Sequence, residues 1–177
     1  MKQYIDAIFI SLNSENYFSA LAIALMMPDI CSAIESEKNF GTKWLYSDWF
    51  DKYLSHYYTD TEYFDAPIVF LSGKECYALR CSYLHQGIHE IGHQDILKKE
   101  DNPAQRIQFV AKGMPQDKCK LGGLTLLNLN IFCHLMILAV EKWLKDNSEN
   151  QIVNERLLSM PSIKTEPFSL NMPEFEK

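Results

Sequence analysis

The chain has 177 residues, 47% hydrophobic and 23% charged, a balance that fits one well-buried globular domain, is short for two and excludes a disordered chain. Lys and Arg number 17 against 23 Asp and Glu, a net charge of −6. That argues against a broad basic surface gripping long nucleic acid and leaves room for a small, locally positive cleft. Five cysteines at scattered positions fit a reducing, cytoplasmic setting better than a disulfide framework; those at 31, 76, 81 and 133 fall in predicted helices and read as small core hydrophobes.

Helical period dominates the pattern. Tyr4, Ile5, Ile8, Phe9 and Leu12 predict a first short helix. The N-terminus carries an early acid, Asp6, and no small-residue cleavage pattern, so no signal peptide is expected. Asn13 or Ser14 can cap a second helix through Tyr17, Leu21, Ala24 and Leu25 towards Ile34, where Pro28 must kink the helix or restart it. A third is predicted over 44–58, with Leu45, Trp49, Tyr53 and Tyr57 spaced by four. Residues 59–67 read as a polar connection.

The fourth helix, over 72–87, has both ends marked. Ser72 stands at the N-cap with Glu75 three residues on, the capping-box spacing, and Gly87 suits a left-handed C-terminal residue. Cys76, Leu79, Tyr83 and Leu84 give it an apolar side. Into it the sequence places Arg80 and, five residues later, His85. Arginine is a permanent cation with a fork of donors suited to phosphate, and histidine exchanges protons near neutral pH. Together they contain the minimum for metal-free phosphodiester chemistry.

Residues 88–123 break the helical period with Gly92, Pro103, Gly113, Pro115 and the pair Gly122-Gly123. Residues 106–110 alternate as a short strand would, and 124–126 can pair with them. This reads as a long insertion with a small hairpin, and excursions of that length are more often functional than idle. A last strong helix is predicted over 128–145, with Phe132, Met136, Val140 and Trp143 inward. The longest apolar stretch considered as a membrane span, 124–140, is interrupted by Asn128, Asn130 and His134, so no span is expected. The domain is placed at 1–160 and a loosely packed tail at 161–177.

The Arg80-x4-His85 helix within a mostly helical domain resembles the HEPN superfamily, whose signature is Arg, four to six residues, then His. Residues 16–35, with Pro28-Asp29-Ile30-Cys31, and 79–87 also look like a recurrent uncharacterised bacterial branch of it. The resemblance covers roughly residues 3–146. Cys81 departs from it, because many HEPN ribonucleases carry a polar residue directly after the arginine. The resemblance implies an all-α, HEPN-like bundle with an inserted loop or small β-hairpin between the motif helix and the last long helix. It implies a metal-independent endoribonuclease, without cofactor, in a toxin or phage-defence setting whose partner is not identified. Arg80 would hold the phosphate and His85 move the proton.

Five residues on a helix turn about 500°, leaving Arg80 and His85 about 140° apart with about 7.5 Å of rise. One chain is therefore not expected to converge them, and a two-fold homodimer is, in agreement with the shared interface site the resemblance implies. Lys98, Lys99 and Lys112, with Lys118 and Lys120, are the local basic concentration that can reach RNA. Other readings stand beside these. Arg80 can form a structural ion pair with Glu75, Glu90 or Asp65, with His85 bonded to a helix-end carbonyl, leaving a silent module that binds RNA, nucleotide or protein. His85, His89 and His93 recur every four residues, but the helix is expected to end at Gly87, so no metal site is assigned. Helical spacing assigns Trp49, Tyr53 and Tyr57 to the core rather than to a base-stacking platform. His134 reads as a core histidine and His56 as a surface one.

Overall fold

The computed structural model describes residues 1–38, 40–61, 66–114 and 116–163. Of the expected tail, 161–163 carry no regular structure and 164–177 lie outside the described residues. Six α-helices are described: α1 (Lys2–Asn13), α2 (Tyr17–Glu35), α3 (Lys43–Tyr58), α4 (Gly73–Gln86), α5 (Leu129–Asp146) and α6 (Gln151–Leu158). Between them lie the strands β1 (Thr59–Asp60), β2 (Ile68–Val69), β3 (Arg106–Val110), β4 (Lys118–Leu121) and β5 (Leu124–Asn128), and a 3₁₀ turn at Asp95–Leu97.

Helix α2 is the axis of the domain. Asn16 caps it by accepting from Ser19 N at 3.3 Å, and Leu21, Leu25, Met27 and Cys31 are buried along it. It packs against α1, α3, α4, α5 and α6. Pro28 sits inside the helix without restarting it. It has no N–H for the carbonyl of Ala24, and beside that gap the buried Tyr46 hydroxyl donates to Leu25 O at 3.0 Å. By length and composition α2 is apolar enough to cross a membrane, a stretch the sequence reading passed over. Half of that stretch is buried against the rest of the fold.

Helix α4 is the predicted one, end for end. Ser72 Oγ accepts from Glu75 N at 3.2 Å, Glu75 Oε2 accepts from Ser72 N at 2.9 Å, and Gly87 closes the helix at φ 69°. Helix α6 carried no sequence signal, since Val153 is its one buried residue. Its Arg156 donates to the carbonyls of Ile34 and Ser36, closing the C-terminal end of α2.

The all-α expectation is overturned. Helices share the chain with two small sheets, so the fold is mixed α and β. β1, at the start of the expected polar connection, pairs antiparallel with β2, which lies just past its end. The insertion holds a three-stranded sheet in the order β3-β5-β4. The anticipated pairing of 106–110 with 124–126 is present and is parallel, with Ile107 opposite Thr125 and Phe109 opposite Leu127. The hairpin is made by β4, which turns into β5 through Gly122 at φ 57° and pairs Cys119 with Leu126. Strand β4, Lys-Cys-Lys-Leu, is half-buried over its first three residues and exposed at Leu121, and it lacks the alternation that marks a strand; only its partner gives it that form.

Candidate functional site

Arg80 and His85 leave α4 on different sides, yet the structure joins them. The arginine arm lies across the helix surface and places Nη1 2.9 Å from His85 Nε2. Convergence is thus achieved within one chain, against the expectation that two copies would be needed. The backbone angle was right, and the length of the arginine side chain outweighs it. His85 is exposed in the last turn of α4, whereas Arg80 is about one-quarter exposed.

The other end of the guanidinium is held by a residue the sequence reading had not placed in the site. Arg80 Nε is 2.6 Å from Asp29 Oδ2, and both side chains are about three-quarters buried. The two contacting atoms are shielded from solvent, and neither makes a hydrogen bond of regular angle. Charge attraction therefore holds the pair. The ion-pair partners considered from sequence are not the ones used: Glu75 faces elsewhere, Glu90 lies 3.5 Å from His89, and Asp65 is outside the described residues. Asp29 did leave a signal, as an acid one residue after a proline in an otherwise apolar helix.

Burial shapes the electrostatics here. It pushes the Asp29 carboxyl above its ordinary value, although the charges of Arg80 and His85 pull the other way. For Arg80, burial works against the cation, but Asp29 and Cys81 outweigh it and the group is held above its usual value. The half-buried Cys81 is among the neighbours that hold Arg80 and Tyr77 above their ordinary values. Burial, then the Cys81 contact, pushes Tyr77 up to about 12. Beneath them Tyr77 packs edge-on against Tyr46 at 5.3 Å.

The three lysines are not gathered on the pair. Lys98 is ion-paired with Asp95 beside the 3₁₀ turn, Lys112 lies 2.6 Å from Glu15 between α1 and α2, and Lys99 is exposed. Lys120 lies 3.7 Å from Glu75, and Lys118 is 3.2 Å from Asp117. Because α4 ends at Gly87, His89 and His93 do not extend the face of His85. His134 is exposed rather than in the core, with Nδ1 donating to Asn130 O at 2.7 Å. Trp49 and Tyr53 are buried as expected, while Tyr57 and Trp44 are substantially exposed. A separate cleft of about 370 Å³ runs past Phe18, Tyr83, Ile88 and Phe109. Its lining is mostly apolar; it includes His89 but neither Arg80 nor His85.

The arrangement is a cation and an imidazole in direct contact at an exposed helix end, with a carboxylate behind the cation. It offers several N–H donors to an anion and one group able to exchange a proton. No family model matches the chain, and no curated protein or solved structure matches it.

Proposed function

We propose that the chain is a metal-independent endoribonuclease with Arg80 and His85 as its working pair, in the toxin or defence role that the HEPN resemblance implies. The observation that supports this reading most is the 2.9 Å contact between Arg80 Nη1 and His85 Nε2 at an exposed helix end. In the proposed reaction the RNA 2′-hydroxyl attacks its own phosphorus. The O–P bond to the 5′-oxygen breaks, and the product carries a 2′,3′-cyclic phosphate. His85 takes the 2′-hydroxyl proton and passes it to the departing 5′-oxygen, which leaves as a 5′-hydroxyl, while Arg80 faces the charge that gathers on the non-bridging oxygens. Lys99, with Lys98 and Lys112 released from weak surface pairs, supplies charge to the flanking backbone. Because the pair meets within one chain, a homodimer brings two sites together rather than completing one.

The test is RNA cleavage in EDTA with analysis of product ends. Cleavage leaving 2′,3′-cyclic phosphate and falling about 10²–10³-fold in His85→Ala and in Arg80→Ala is the expected result. Cys81→Asn, which sets a polar side chain directly after the arginine, preserves or raises activity. Equal cleavage in both alanine variants places the activity elsewhere. A second reading, a silent module that binds RNA, nucleotide or a protein partner without cutting, is favoured by the engagement of Arg80 with Asp29 and by the net charge of −6. RNA binding with no cleavage by the wild type selects it.

A further inference from the structure

We infer that Asp29 is a positioning residue, anchoring Arg80 through Nε so that Nη1 donates to His85 Nε2 and holds the neutral imidazole with its proton on Nδ1. A guanidinium carries five N–H donors and no acceptor. In a 2.9 Å contact between Arg80 Nη1 and His85 Nε2, the arginine must therefore donate and Nε2 must be bare. That assigns the tautomer without reference to any ligand. An unconstrained neutral imidazole in water carries its proton mostly on Nε2, so the assignment is a distinctive one.

Asp29 is what makes this position of Arg80 hold. The arginine arm is long and has many rotamers, and His85 is exposed and offers little to retain it. Asp29 sits about two-thirds of the way along α2, the helix that packs against the five others described, with Oδ2 2.6 Å from Nε and shielded from solvent. Gripping Nε leaves the Nη end directed across α4. The groups around the guanidinium are Asp29 from α2, Tyr46 from α3, and Tyr77, Cys81 and His85 from α4 itself.

The inference deepens the ribonuclease reading and rests on the same pair. In the resting site Arg80 covers the lone pair that must accept the 2′-hydroxyl proton. A phosphate drawing Nη1 to its oxygens uncovers Nε2, while the Asp29 contact at Nε keeps the guanidinium beside it. The arginine pivots on its anchor and does not leave the site.

The test needs no substrate. Long-range ¹H–¹⁵N correlation spectra of ¹⁵N-histidine-labelled protein, recorded at about pH 8.5 where an ordinary histidine is neutral, read the tautomer of His85. The resonances are assigned by comparison with His85→Gln. The wild type is expected to show a protonated Nδ1 and a pyridine-type Nε2, with Asp29→Asn and Arg80→Lys both reverting towards a protonated Nε2. A wild-type His85 protonated on Nε2 overturns the inference outright, independent of how any variant folds. An unchanged Nδ1–H tautomer in a folded Asp29→Asn, judged by its backbone amide spectrum, removes Asp29 from the role. The expected tautomers together with no RNA cleavage would defeat the ribonuclease reading and leave this one standing.

Discussion

Helix α4 and the insertion that follows it are adjacent in sequence and built on different principles. In α4 the deciding interactions are a few residues apart: Ser72 with Glu75 at one end, Gly87 with Tyr83 O at the other. In the insertion they are long-range. β3 is organised by β5, eighteen residues further on, and the segment closes on α4 through Ala104 N donating to Glu75 Oε1 at 2.8 Å, Lys74 with Glu100 at 2.6 Å and Gln94 Nε2 donating to Ser82 Oγ at 2.9 Å. The difference teaches that one carboxylate, Glu75, works in both regimes. It completes the local cap of α4 and holds the distant loop.

Glu75 is therefore where the comparison can be broken most severely. It is 4% exposed, and Glu75→Ala removes half of the capping box while leaving the Ala104 N–H unpaired. The expected loss is about 3–4 kcal/mol in urea unfolding, with hydrogen exchange rising in the insertion as well as at the start of α4. Faster exchange at the start of α4 alone would show that the loop is held by its apolar contacts instead.

Gly73→Ala tests whether α4 is as local as its caps suggest. A Cβ at Gly73 would lie 2.2 Å from Ser47 O, and a backbone oxygen held in the second turn of α3 cannot yield easily. About 2–3 kcal/mol of destabilisation is expected by thermal or chemical denaturation. A neutral result would mean that α3 and α4 separate at little cost.

Gly87→Ala asks only about the local end. The position has φ 69° and nothing within 4 Å of an added Cβ, so the cost is left-handed strain alone, about 1 kcal/mol. It should leave the exchange rates of β3 and β5 unchanged. The smallest effect is a gain in the insertion. Thr125 in β5 is fully buried and its Oγ1 has no hydrogen-bond partner among the described residues. Thr125→Val keeps the shape, removes the stranded hydroxyl and is expected to add about 0.5–1 kcal/mol. A loss there would mean the hydroxyl has a partner, water included.

Much of the helical part was legible because helix signals are short-ranged. The stripes of α1, α2, α3 and α5 and the caps of α4 are each contained within a few turns. The small sheets were partly legible: 106–110 alternates and 124–126 reads as its partner, whereas β4 has an unremarkable sequence and takes strand form from its neighbour β5. The all-α expectation failed on that account. The candidate site divides in the same way. Arg80 and His85 were found because their chemistry stands out inside an apolar helix. Their contact was missed because rotation about a helix axis predicts where Cβ points and not how far a six-atom arm reaches.

The sequence by itself determined the positions and ends of most helices, the composition of a single core, and the two residues proposed to carry the chemistry. Those properties follow from periodicity, caps and side-chain type, all set within a few residues. Only the tertiary structure decided that α2 delivers Asp29 to Arg80, that Arg80 turns to His85 in the same chain, and that three strands assemble where one hairpin was expected. Each of these is a meeting of segments far apart in sequence. Such a meeting is fixed by how the helices pack and which strand edges find each other, and no window of neighbouring residues records it.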